Sequence, residues 1–287
     1  MITWPTAAVL SAAVFAVINI IDSHLIARRL PSLKAFMLPV GTIELCFGLV
    51  FLFLFPFPAG IDAWPLTVGI GSGILRIASG IIMIYFLKKE EVARIIPVVY
   101  TYPIFVALLA MPLLGEALSG LQWLAVVIVV AGAVIVSFRQ RSSGTSIWPG
   151  KAFFGLLGSS ILLAAADLSG KYALDYLSYW NMACVNTLCI AGVFYLISLR
   201  PAVIQQVRAM PGRNGTLGLI LFNEVMVPVG LVLAAWALAN GPASLVSTIT
   251  SSRPIFVYVY AFILNLVVPR FLLNSGASAA MKIFQLI

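Results

Sequence analysis

Apolar runs of about twenty residues alternate with short polar breaks along most of this chain. The runs predict helices near residues 6–26, 35–56, 64–87, 92–114, 119–138, 152–171, 179–199, 215–239 and 242–268. Each suits a membrane span, which takes about 20 residues at 1.5 Å per residue. The runs do not alternate. "LAVVIVVAGAVIV" is apolar on every face, as a lipid-embedded helix is, and unlike a strand of a membrane β-barrel. The breaks explain themselves. "HLIARRLPSLK" carries charge and Pro31, "PFPAGIDAWP" is a Pro/Gly turn, "KKEEVAR" is a charged turn, and "RPAVIQQVRAMPGRNG" is a basic connector. "RQRSSGTSIWPGK" is the longest clean linker and the natural midpoint. Pro97, Pro103, Pro112, Pro228 and Pro254 fall inside predicted spans, where proline is tolerated and bends a helix.

One phrase is written twice. Pro-Ile-Phe-Val stands at residues 103–106 and again at 254–257, a shift of 151. Sliding the second half back by that shift lays "AWALANGP" on "IYFLKKEE" and the following span on its counterpart without a gap. Asp22 and Asp167, near the ends of the first helix of each half, fall together at a shift of 145. Five spans, a linker and about five more read as a duplication. Five is odd, so the second copy enters the membrane from the opposite side, the inverted-repeat layout of secondary transporters. The expected architecture is therefore an all-α integral membrane protein of nine to ten transmembrane helices in two inverted five-helix repeats. Residues 1–140 form the first repeat, 141–151 the linker and 152–287 the second, whose last helix is incomplete.

Composition agrees. The chain is 62% hydrophobic and 9% charged, with a mean hydropathy of +1.10, against roughly 25% charged residues in a soluble domain. The net charge of +8 sits in short connectors, which fits the positive-inside rule and not nucleic-acid binding. His24, Arg28, Arg29, Lys34, Arg139, Arg141, Lys151, Arg200, Arg208 and Arg213 mark the basic loops, expected in the cytoplasm with the N-terminus outside. Cys46, Cys184 and Cys189 are odd in number and lie in apolar runs, and His24 is the only histidine, so neither a disulfide framework nor a zinc site is expected. "AAVLSAAVFAVINII" reads as a retained first helix. "LSGK" and "SSGTS" lack a nucleotide-loop pattern, and no Ser–His–Asp set is suggested, so no enzyme and no cofactor is expected.

Charges inside spans cost about 2.5–3.5 kcal/mol each on insertion scales and so point to function. Arg76 lies mid-span among small residues in "GSGILRIASG", and Glu224 lies near the middle of its span in "LFNEVMVP". The shift of 151 carries Arg76 onto Val227, one turn from Glu224. The two are expected to pair, either as a structural lock or as part of a substrate cavity. Arg253 is mid-span in "TSSRPIF" and falls on Tyr102. Tyr100, Tyr102, Ser252 and Arg253 are candidates to line a central cavity, with packing the alternative for the tyrosines. Arg76, Tyr102, Glu224 and Arg253 are the candidate substrate-binding residues. Glu44 is mid-span, with a local partner and a transport role competing evenly. Asp22, Asp167 and Lys171 read as interfacial anchors.

"PLLGEALSGLQWLAVVIVVAGAVIVSF" resembles the end of the EamA repeat of the drug/metabolite transporter superfamily. Gly115 and Glu116 match its Gly-Glu, and Leu121, Gln122 and Trp123 match the opening of its fifth helix. "ARIIPVVYTYPIFVALLAMPLLGE" looks like the preceding helix. The second copy departs from the pattern: "VVPRFLLNS" replaces the Gly-Glu, and "GASAAMKIFQLI" is short for a span. The resemblance implies a structural role for Glu116, a more peripheral helix around Glu44, and both termini in the cytoplasm, against the charge tally. It implies secondary active transport of a small organic metabolite or drug across the cytoplasmic membrane by alternating access, with a proton as candidate coupling ion. The partners expected are that substrate and membrane lipid, with the chain a monomer or homodimer. The alternative is a non-transporting scaffold or assembly subunit.

Overall fold

A computed structural model describes residues 3–58, 60–87, 98–139 and 151–267. The helices are α1 (Trp4–His24), α2 (Leu33–Leu54), α3 (Ala63–Leu87), α4 (Tyr102–Leu114), α5 (Gly120–Arg139), α6 (Lys151–Leu174), α7 (Tyr179–Ser198), α8 (Pro201–Arg208), α9 (Arg213–Asn240), α10 (Ala243–Thr250) and α11 (Arg253–Val267). Six of them, α1, α2, α3, α6, α7 and α9, are apolar and long enough to cross a membrane. Large apolar side chains face outward, Phe53 at 86% and Leu196 at 85% exposure. Water would reject such a surface and lipid accepts it. The chain is an all-α, multi-pass membrane protein.

Local chemistry sets the ends. After α1 the chain makes one π turn, Leu25–Arg29, closed by the Leu30 amide donating to the Leu25 carbonyl at 3.1 Å. Pro31 forces Leu30 out of the helical region, to φ −112° and ψ 134°. Ser32 then caps α2 by accepting from the Ala35 amide at 3.2 Å, and Ser178 caps α7 by accepting from the Asn181 amide at 3.1 Å. Gly115 ends α4 in the left-handed region, at φ 68°, where a side chain would be strained.

Three expectations need correcting. The span drawn at 92–114 is not one continuous helix: α4 begins at Tyr102, after a turn at residues 100–101. The span drawn at 242–268 is broken at residues 251–252 into α10 and α11. Each new helix has proline at its second position, Pro103 or Pro254, where the missing N–H costs nothing because the first turn has no partner for it. The basic connector after α7 contains the short helix α8, started by Pro201, with Val203 buried. The turn at 88–91, the linker at 140–150 and everything after 267, including the expected incomplete last helix, lie outside the described residues.

The two breaks share their hydrogen bonds. Thr101 Oγ1 donates to the Val98 carbonyl at 2.7 Å and its amide to the same oxygen at 3.3 Å. Ser252, 151 residues on, does the same to Ile249 at 2.6 and 3.0 Å.

The described chain divides into two compact units. The first takes Met1–Ala8, Ile61–Tyr176 and Trp236–Ser252, and the second Val9–Gly60, Leu177–Ala235 and Arg253–Ile287. In the first, α3 lies antiparallel to α6. Ser72 donates to the Ala166 carbonyl at 2.7 Å, and seven residues later Ser79 donates to the Ser159 carbonyl at 2.9 Å. Small side chains let the backbones approach, and each such bond is worth about 0.6 kcal/mol in a membrane. In the second unit, α2 packs on α7. A Cβ at Gly48 would stand 2.5 Å from Leu188 Cδ2, so any larger residue there requires the Leu188 side chain to move.

Candidate functional site

Among the described residues of the first unit, no buried side-chain nitrogen or oxygen lacks a hydrogen-bond partner. Arg76, on α3, donates to Asp167 Oδ1, on α6, at 2.7 Å, with 37% of the arginine and 10% of the aspartate side chain exposed. The expected partner, Glu224, is not the one Arg76 bonds. Asp167 is also not an interfacial anchor, since it is buried and paired. Lys171, one turn on, is held by a helix end: its ammonium donates to the carbonyls of Leu238, Ala239 and Gly241 at 2.7, 3.3 and 3.0 Å. A cation there meets the negative end of the α9 dipole. Tyr102 is buried, and its hydroxyl lies 3.0 Å from the Ser247 carbonyl and 2.8 Å from Thr250 Oγ1, which fastens α4 to the end of α10.

Glu116 has the structural role the resemblance implies. Its carboxylate accepts from the Ala243 amide at 2.7 Å and from the Ser244 amide and hydroxyl at 3.2 and 3.0 Å. It therefore caps the N-terminus of α10, where a negative charge is favoured. Gly115 turns the backbone so that Glu116 can reach.

The second unit collects acids instead. α1 and α9 run antiparallel, with Ser11 Oγ donating to the Gly230 carbonyl at 3.1 Å and Asn223 Nδ2 donating to Asp22 Oδ1 at 2.8 Å. Asn223 Nδ2 also donates to Glu224 Oε1 at 3.1 Å. From α2, Glu44 is fully buried and its carboxyl interacts with that of Glu224. The Glu44 oxygens find no donor other than the Glu224 carboxyl. This level is closed above and below by apolar side chains: Leu25, Phe36, Val40 and Ile220 on one side, Ile18, Ala183, Val227 and Leu231 on the other. Such surroundings keep the local dielectric low.

Arg253 opens α11. Its guanidinium carbon stands 4.6 Å from the centroid of the Phe15 ring, and its Nε is buried without an acceptor. The first turn of a helix is the positive end of its dipole, so a cation there is disfavoured, and the aromatic face offsets part of that cost.

Of the four candidate residues, Arg76 and Tyr102 belong to the first unit and Glu224 and Arg253 to the second. Asp22, Glu44 and Asn223 were not among them. The signal was present in two adjacent polar residues, Asn223 and Glu224, in the middle of an apolar span. Adjacent helical residues point about 100° apart, so burial of both requires a polar neighbour on more than one side. Among the described residues no group of three or more His, Cys, Asp or Glu side chains is arranged to hold a metal ion.

Comparison with known proteins agrees with this architecture. A crystal structure of a protein 16% identical, covering 97% of this chain and 91% of its own, matches with a TM-score of 0.67. At that identity it establishes likeness of fold. No curated protein matches the sequence. The model of the EamA-like transporter family matches residues 3–138, which span α1 to α5 and include the Gly115–Glu116 turn. Residues 3–138 of this multi-pass membrane protein are thus a domain of the EamA-like transporter family.

Proposed function

We propose that the protein is a secondary transporter, moving a small organic molecule across the cytoplasmic membrane by alternating access. In this reading it is built from two inverted repeats, residues 1–140 and 152–287, joined at 141–151. The supporting observation is the pair of interrupted helices. The breaks at residues 100–101 and 251–252 are 151 residues apart and repeat the same hydrogen bonds. Matched interruptions in two halves of a membrane chain leave helix ends and unpaired backbone groups at the depth where a substrate binds. A scaffold has no need of them.

Arg253 and Glu224 are the residues assigned to the substrate. A cation held at the positive end of α11, with a buried Nε that lacks an acceptor, suits an anionic group of an incoming molecule. Arg76 and Tyr102 remain candidates for substrate contact within the first unit, where they also hold α6 and α10. The test is counterflow in proteoliposomes against a panel of radiolabelled amino acids, amines, nucleosides and sugar derivatives. Saturable exchange of at least one solute is expected. Arg253→Gln should reduce it at least about tenfold, as loss of a charged hydrogen bond does, with Arg253→Lys retaining more. Absence of saturable exchange for every solute would favour the scaffold reading. A reporter fused after Thr145 fixes orientation: cytoplasmic signal is expected, and external signal would reverse it.

A further inference from the structure

We propose that one end of the second unit, where α1 and α7 finish and α2 and α9 begin, is a docking surface for the headgroups of anionic phospholipid. It goes beyond the transporter reading and does not depend on the solute carried.

The fold brings four helix ends together. Leu25 just after α1, Phe36 and Val40 early in α2 and Ile220 early in α9 form one buried apolar cluster, with Phe194 from the end of α7 packed against it. The helix directions agree. Along α2, from Gly41 through Gly48 to Phe55, the neighbours on α7 run back from Phe194 through Leu188 to Asn181. The start of α2 therefore stands beside the end of α7. The Asn223 bond to Asp22 places the end of α1 beside the early part of α9 in the same way. The short helix α8 is fastened to this end too, since Ser32 Oγ donates to Gln206 Oε1 at 2.8 Å and Val203 is buried.

The sequence makes this end cationic. Residues 25–43 and 191–222 carry six basic side chains, Arg28, Arg29, Lys34, Arg200, Arg208 and Arg213, and no Asp or Glu. All six are exposed, and none forms an ion pair with a described residue. The acids next along these helices do not reach out to them: Asp22 and Glu224 accept from Asn223, and Glu44 is fully buried. Like charges gathered this way repel one another, and an anion relieves the repulsion.

Two features favour a lipid over a soluble anion. Large apolar side chains lead directly into the cations. Leu196 and Leu199 are exposed on the approach to Arg200, and Leu221 and Phe222 are exposed on α9 about two turns from Arg213. A molecule that satisfies both levels has acyl chains and a negative head. Between α8 and α9 there is also a recess of about 460 Å³, lined by Arg208 and Arg213 together with Gly212 and Gly215. Two guanidinium groups on one recess suit the oxygens of a phosphodiester. Each Lys or Arg at an anionic membrane surface contributes about fivefold in affinity. Phosphatidylcholine carries its own cation beside the phosphate and gains less.

The experiment is native mass spectrometry of the purified full chain, released from detergent micelles that hold equal amounts of phosphatidylglycerol and phosphatidylcholine with the same acyl chains. Phosphatidylglycerol adducts should exceed phosphatidylcholine adducts at least about tenfold. Combining Arg200→Gln, Arg208→Gln and Arg213→Gln should bring the ratio near one, and lysine at the same three positions should keep it. Should the glutamine variant fail to fold, salt replaces it: raising ammonium acetate from about 0.1 to 1 M shortens the screening length and should cut the parent's ratio at least about threefold. Equal adducts of the two lipids, a ratio unchanged in the folded glutamine variant or by salt, or a ratio lost equally in the lysine variant would overturn the surface. Displacement of phosphatidylglycerol by millimolar glycerol 3-phosphate would overturn it as a lipid site and assign it to a soluble phosphate.

Discussion

In the first unit α3 meets α6 through Ser72, Arg76 and Ser79; in the second α9 meets α1 through Asn223 and Gly230. The positions correspond at a shift of 151: Ser72 to Asn223, Gly73 to Glu224, Arg76 to Val227 and Ser79 to Gly230. One hydrogen bond is common to both. Ser159 Oγ donates to the Ser79 carbonyl at 3.0 Å, and Ser11 Oγ donates to the Gly230 carbonyl at 3.1 Å. The charges differ. Where the first unit has a cation for Asp167, the second has Val227, and where the first has glycine, the second adds Glu224. The same helix contact is closed by an ion pair in one place and left acidic in the other. A contact whose partners match holds a fold together. One whose partners are missing is available to a ligand.

Removing a carboxylate charge should therefore act oppositely in the two places. The largest effect is expected for Asp167→Asn, which strands Arg76. Breaking a buried pair costs about 3–5 kcal/mol. With Arg76 37% exposed, the loss should fall near ~2–3 kcal/mol. It is read as folded yield and thermal midpoint in detergent. Adding Arg76→Gln should restore most of the loss, and strictly additive losses would show that the pair contributes nothing. A smaller effect is expected for Glu116→Gln. The amide keeps one acceptor for α10 and loses the charge, at about 1 kcal/mol. Thermal midpoint again reports it, and a change larger than that of Asp167→Asn would reverse the ranking. The smallest is expected for Glu44→Gln. The amide can still hydrogen-bond the Glu224 carboxyl, so stability should stay within about 0.5 kcal/mol or rise. A loss comparable to that of Asp167→Asn would mean Glu44 is held by contacts not described above, and the contrast between the units would fail.

What the sequence determined by itself was the class and the rhythm. Apolar length, the absence of alternation and the placing of charge in connectors are properties of single segments, so they are legible without a fold. The break positions were half legible. The repeated Pro-Ile-Phe-Val marked the right places, but proline is compatible with a bent membrane helix as well as with the start of a new one. The amides of residues 101 and 252 turning back to carbonyls three residues earlier decided for the latter. Pairing was not legible. Arg76 had several acids within reach of any plausible packing, and the repeat shift favoured Glu224 because it ignored how α3 and α6 slide past each other. Asp167 read as an anchor because its distance from a helix end is a one-dimensional quantity. Its burial comes from the serine contacts of α3, which fix the register of two helices far apart in the chain. The acidic cluster needed three helices, α1, α2 and α9, to be brought to one level. Side-chain partners are a property of that arrangement, and only the tertiary structure decides which donors arrive where the acceptors are.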